Sequence, residues 1–318
     1  MKNYQMEVFF MLLGFALLVI GGEYIVRASV GLSFKLNLPK MVIGLTVVSF
    51  ATSVPELLVS LNAALQGASA IAVNNVIGSN IANIGLILGI TSICTTIEVD
   101  KLFYKFNWPC LLFFSLLLYF FISNDYNISH YEGLLLFIFL LLFIIILLKK
   151  SKNHYYENNV IPSEFKIVSI FKILFWFIIG SVSLYFGAEW LVDGAIYLAK
   201  TFGVSEAVVS VSLVAFGTSV PELSASIIAI LKKEKAISLG NLIGSNIFNI
   251  GSVLGLTAII DTIEIHDKLI LSRDVLWMLV FAIILLPLVL LKKRNKLEIK
   301  EGFLLIFLYS IFIIIVFR

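Results

Sequence analysis

Apolar residues run through this chain in long blocks with few charges, unlike the alternating or amphipathic stripes of a water-soluble domain. Blocks long enough to span a bilayer fall at 8–30, 40–65, 70–96, 105–123, 131–148, 168–199, 204–231, 236–260, 273–291 and 302–317. At about 20 residues per crossing, they predict an all-α polytopic membrane protein with ten transmembrane helices. The sixth block is long enough to predict an interfacial turn inside it. The first lacks a clear n-region and a small-residue cleavage site and belongs to the repeated pattern, so it is expected to be a structural span and not a removable signal.

Part of the pattern is written twice. Residues 48–65 read VSFATSVPELLVSLNAAL and residues 214–231 read VAFGTSVPELSASIIAIL; GSNIANIGLILG at 78–89 is matched by GSNIFNIGSVLG at 244–255. The offset is 166 throughout, and 24 of the 46 positions in 44–89 are identical in 210–255. GGEYIVRAS (21–29) also aligns with GAEWLVDGA (187–195), placing Glu23 opposite Glu189 and Arg27 opposite Asp193. Equivalent helices lie five crossings apart, an odd number, so the second half inserts upside down. The expectation is two inverted five-helix repeats, 1–150 and 167–318, related by an axis in the membrane plane. The linker at 151–166 is too short for a folded regulatory domain.

Composition agrees: 60% hydrophobic, 14% charged, mean hydropathy +1.04. A net charge of +3 is too small to argue for nucleic acid. Loops after the odd-numbered helices carry 17 Lys and Arg residues against 5 on the other side, with Arg27 set aside inside the first helix. That asymmetry predicts a multi-pass cell-membrane protein with odd loops cytoplasmic and both termini outside. The runs KKEK (232–235) and KKRNK (292–296) are read as topology signals. Cys94 and Cys110 lack metal-ligand spacing and read as packing residues.

The chemistry lies in the repeat. Glu56 and its twin Glu222 sit in otherwise apolar sequence, and a carboxylate at the bilayer centre costs about 2.5–3.5 kcal/mol on insertion scales. Pro55 and Pro221 cannot donate to the carbonyls of Ala51 and Gly217, so helices two and seven are expected to break there and splay carbonyls such as those of Ser49, Thr52, Ala215 and Thr218. Thr52 shares a helix face with Glu56, and Thr218 with Glu222. Asn75, Ser79 and Asn83 form a stripe repeated by Asn241, Ser245 and Asn249. Pro, Gly, Ser and Thr are common in membrane helices for packing alone. Buried Asn75, Asn80, Asn241 and Asn246 serve equally well as interhelical clasps. Glu23 and Glu189, nearer helix ends, suit structural roles as well as ion access.

Every group in this set offers oxygen, and His130, His154 and His266 all fall in loops. All-oxygen sites suit hard cations such as Ca²⁺ and Na⁺. Two facing glutamates repel unless a proton or cation intervenes. One Ca²⁺ or two Na⁺ neutralise the pair, and mutual exclusion at one site is what exchange requires. Bound ions, not a cofactor, are expected, with no obligatory protein partner. A cation channel could use the same ligands. An intramembrane enzyme is a weaker reading, because no catalytic aspartate pair or metal-binding histidine motif accompanies them.

TSVPE followed by GSNIxNIG, twice in inverted halves, resembles the repeats of the sodium/calcium exchanger family, in a prokaryotic-type form without a regulatory domain. The resemblance implies Na⁺/Ca²⁺ antiport by alternating access. Helices 2, 3, 7 and 8 form the ion-binding core, and helices 1 and 6 slide past it. It implies that Glu56 and Glu222 are shared by both ions and that Thr52, Ser53, Ser79, Thr218, Ser219 and Ser245 supply hydroxyl or carbonyl oxygen. Backbone at Ser49 and Ala215 would complete outer Na⁺ positions. Asn249 stands where some relatives carry aspartate. With Asn83 opposite, the centre holds two carboxylates, which argues against potassium co-transport. Proton/calcium exchangers are the related alternative.

Overall fold

The computed structural model describes residues 2–152, 168–202, 215–290 and 295–316. Most of the 151–166 linker, the first part of the seventh predicted span, most of the KKRNK run and Arg318 lie outside the described residues, as do the side chains of Lys2 and Ala215. In chain order the helices are α1 (Lys2–Leu36), α2 (Lys40–Thr52), α3 (Val54–Leu65), α4 (Ala70–Cys94), α5 (Phe103–Asp125) and α6 (His130–Lys152). The second half supplies α7 (Ile170–Thr201), α8 (Ala215–Thr218), α9 (Val220–Leu231), α10 (Lys235–Ile260), α11 (Ile270–Leu290) and α12 (Ile299–Val316). Among the described residues eight helices are long and apolar enough to cross a membrane, and the bent pair α2–α3 makes a ninth span.

Burial separates two roles. α4 and α10 are enclosed, 78% and 83% buried over their apolar stretches, whereas those of α1, α6, α7 and α12 are 28% or less. The buried helices carry the GSN motifs, and the others turn apolar side chains such as Phe15, Ile145 and Phe307 outward, as lipid-facing helices do.

The two halves interlock reciprocally. Short strands absent from the helical expectation, β1 (Ile97–Glu98), β2 (Asn127–Ile128), β3 (Ile263–Glu264) and β4 (Lys296–Leu297), pair β1 with β4 and β2 with β3, all antiparallel. Each pairing joins one half to the other. β1 and β4 follow α4 and α11, and on that face Lys40 bonds Glu234 at 2.7 Å while Lys235 Nζ donates to the Thr96 carbonyl at 2.9 Å. β2 and β3 follow α5 and α10, and there the Ser69 hydroxyl donates to the Thr262 carbonyl at 3.2 Å.

The sixth block differs from expectation. α7 is one continuous helix of 32 residues with no interfacial turn. It lies antiparallel along α1, and their seam is a glycine ladder: Gly14 meets Gly187, and Gly21 meets Gly180. A Cβ at Gly187 would lie 2.9 Å from the Gly14 carbonyl oxygen, and one at Gly180 would lie 2.9 Å from the Ile25 nitrogen. Backbone against backbone at seven-residue intervals packs the two helices closely along their length.

Candidate cation site

The broken spans form as Pro55 and Pro221 dictate. α2 and α3 meet at 42°, with Ser53 at φ −85°, ψ 2° between them; Ser219 adopts φ −89°, ψ 2° at the equivalent break between α8 and α9. This bridge conformation is sparsely populated and recurs at functional positions. Proline sits in the first turn of α3 and of α9, where a missing N–H costs least. Glu56 and Glu222 therefore lie in the first turns of half-helices that begin inside the protein, where the helix dipole favours negative charge. The break frees less backbone than proline alone suggests. The Ser49 carbonyl still accepts the Ser53 N–H at 2.9 Å, and the Ser49 hydroxyl turns to the Gly44 and Asn241 carbonyls.

Each broken helix is closed by the GSN helix of the opposite half. Thr52 donates to Asn241 Oδ1 at 3.1 Å and meets the Ser245 hydroxyl at 3.2 Å; Thr218 donates to Asn75 Oδ1 at 3.0 Å and meets the Ser79 hydroxyl at 3.2 Å. Asn75 and Asn241 each reach back within their own half, to Ser60 (3.3 Å) and Ser226 (3.1 Å), tethering α3 to α4 and α9 to α10. Small residues permit the approach: a Cβ at Gly244 would lie 2.6 Å from the Leu45 carbonyl oxygen.

Glu56, Glu222, Ser79, Ser219, Ser245, Asn83 and Asn249 are all fully buried, with Ser53 4% exposed. Around them, Glu56 Oε1 and Oε2, Glu222 Oε2, Ser219 Oγ, Asn83 Oδ1 and Asn249 Oδ1 have no hydrogen-bond partner among the described residues. The halves are not identical. Ser53 donates to Glu222 Oε1 at 3.5 Å, whereas both Glu56 oxygens are unpartnered, and Thr52 is fully buried where Thr218 is partly exposed.

Two features were invisible in the sequence. From Asn83 to Leu88 and from Asn249 to Leu254 the helix widens to π-type hydrogen bonding, so each widened turn opens on a site asparagine. Glu23, with two candidate roles, accepts from Arg27 at 2.6 Å and Lys232 at 2.8 Å, tying α1 to the end of α9. Glu189 and Asp193 are exposed on α7.

Two inverted broken helices, directing carboxylate-bearing N-termini into a buried all-oxygen centre, place this chain in the class of inverted-repeat membrane transporters. Residues 6–149 and 172–318 match the sodium/calcium exchanger protein family. The chain is similar to CaxA of Alkalimonas amylolytica, a candidate antiporter (34% identical, covering 93% of this chain and 94% of that protein). It is also similar to the sodium/calcium exchanger MaX1 of Methanosarcina acetivorans (28%, covering 96% and 97%). The structure of the sodium-calcium exchanger NCX_Mj soaked with 2.5 mM Na⁺ and 0.1 mM Ca²⁺ superposes with a TM-score of 0.82 at 32% identity, over 97% of both chains. The chain belongs to the sodium/calcium exchanger family and is a multi-pass membrane antiporter of the cation/calcium type.

Proposed function

We propose that this protein exchanges Na⁺ for Ca²⁺ by alternating access, with either ion set held between Glu56 and Glu222. The observation that carries this reading is the set of six buried oxygens without partners on the residues lining the centre. An unsatisfied buried polar atom costs about 1–3 kcal/mol, so such a set suits a cation that supplies the missing contacts. The donors, namely two carboxylates, hydroxyls of Thr52, Ser53, Ser79, Thr218, Ser219 and Ser245, and amide oxygens of Asn83 and Asn249, fit hard ions. Backbone at Ser49 and Ala215 remains the proposed outer Na⁺ contribution.

Either one Ca²⁺ or two Na⁺ neutralise the pair, which is why the ions compete. The α1–α7 unit is the proposed moving part, since glycine-rich contact binds it internally; the polar ties it makes to the core include Glu23 to Lys232 and Ser224 to the Leu18 carbonyl. Crossing with an empty, doubly charged centre is unfavourable, which couples the two fluxes.

Na⁺-loaded proteoliposomes diluted into Na⁺-free medium are expected to accumulate ⁴⁵Ca²⁺, and collapsing the Na⁺ gradient to stop it. Uptake driven by a pH gradient with Na⁺ without effect would replace this reading with proton/calcium exchange. Flux that needs no counter-ion would make the protein a channel.

The Lys- and Arg-rich face is proposed to be cytoplasmic, with both termini outside. With Cys94 and Cys110 replaced by serine, Gln66→Cys is expected to react with an impermeant maleimide on intact cells and Lys101→Cys only after permeabilisation. The reverse labelling would invert the orientation.

A further inference from the structure

At the centre of the molecule the two halves hold one another through a pair of asparagines outside the ligand set. Asn80 Nδ2 donates to the Asn246 carbonyl at 3.2 Å, and Asn246 Nδ2 donates to the Asn80 carbonyl at 3.0 Å. Both residues are 1% exposed. Because a carbonyl accepts and never donates, each bond dictates which end of the amide faces across. Asn246 Oδ1 is then left to accept from Asn83 Nδ2 at 2.9 Å, and Asn80 Oδ1 to accept from Asn249 Nδ2 at 3.2 Å. Asn83 and Asn249 each turn the NH₂ end toward that partner with one N–H, and their unpartnered oxygens are left for the site.

We propose that Asn80 and Asn246 are positioning residues that set the amide polarity of Asn249 and Asn83, respectively, so that each presents oxygen and not NH₂ to the transported cation. Amide oxygen and nitrogen are nearly equal in size, so packing alone does not choose between the two rotamers; hydrogen-bond partners do. A flipped Asn83 would bring its own oxygen against Asn246 Oδ1 and aim a positive dipole at the ion. The choice matters in a centre with two carboxylates, where neutral oxygens carry much of the coordination. The inference rests on Asn83 and Asn249 facing the ions, as proposed above.

A double-mutant cycle tests it, because each clasp runs from a side chain to a backbone carbonyl that survives substitution of its own side chain. Asn246→Ala and Asn83→Ala are each expected to raise the KM for Ca²⁺ about tenfold, the effect of about 1.4 kcal/mol of lost interaction. Combined, they are expected to do no more than Asn83→Ala alone. Asn246→Ala with Asn249→Ala should instead multiply, and Asn80→Ala should mirror the pattern, coupling to Asn249 and not to Asn83. If Asn83→Ala leaves the KM for Ca²⁺ unchanged, the ligand reading of Asn83 fails. If it raises the KM but Asn246→Ala multiplies with it, the positioning role is overturned. Should an alanine variant not fold, Asn246→Leu and Asn80→Leu fill the same space with neither donor nor acceptor and are held to the same two outcomes.

Discussion

Replacing Glu56 or Glu222 with glutamine is expected to lower Na⁺-driven Ca²⁺ exchange by two to three orders of magnitude. Glutamine keeps the shape and removes one negative charge from a centre where both carboxylates are fully buried. Ca²⁺ would then enter the protein interior with one compensating charge instead of two. Truncating one partner of a buried charge pair costs about 2–5 kcal/mol, which corresponds to a loss of roughly 30- to 5,000-fold. Thermal stability separates lost binding from lost folding. Ligand at 100 times its Kd stabilises the native state by about 2.7 kcal/mol, so the melting temperature of the unsubstituted protein should climb with added Ca²⁺. Both variants are expected to melt cooperatively, at least as high as the unsubstituted protein without ions, and to show no Ca²⁺-dependent rise. A retained Ca²⁺ shift in either variant would remove that glutamate from the ligand set.

The second large effect is expected at the helix seam. Gly187→Leu, or Gly21→Leu, introduces a side chain where even a Cβ would stand 2.9 Å or less from backbone of the neighbouring helix. Backbone cannot swing aside as a flexible side chain can, so α1 and α7 must separate. Overpacking of this kind costs about 1–3 kcal/mol. The proposed site residues come from α2–α4 and α8–α10 and from neither of these two helices. Equilibrium ⁴⁵Ca²⁺ binding is therefore expected to persist near its original affinity while the exchange rate falls about tenfold or more. Equal loss of binding and rate would mean that the seam supports the site directly and is not the body of a moving unit.

Much of this protein is legible in the sequence, for identifiable reasons. Long apolar blocks mark crossings because lipid requires every backbone polar group to be satisfied within the helix. The breaks at Pro55 and Pro221 follow from a missing N–H, a property of the residue itself. Boundaries were less accurate where polar ends extend a helix: α6 begins at His130 and runs to Lys152, past the apolar block. The predicted turn in the sixth block failed for a physical reason. Gly180 and Gly187, which alone could signal flexibility, instead pack against α1 within one continuous helix.

The sequence by itself determined that the chain crosses a membrane, that its halves are inverted, and that paired carboxylates sit among oxygen donors. Each follows from something countable along the chain: block length, an odd number of crossings, and residue type. Only the tertiary structure decided that Thr52 closes on Asn241 and Ser245 of the other half, that helices widen at Asn83 and Asn249, and that Glu23 pairs with Lys232. It alone decided which end of each of Asn80, Asn83, Asn246 and Asn249 meets the opposite half. The two ends of an amide are alike in size, and those of Asn80 and Asn246 are oriented by each other's backbone carbonyl, 166 residues away in sequence. No local pattern encodes that distance; the inverted packing of the two repeats does.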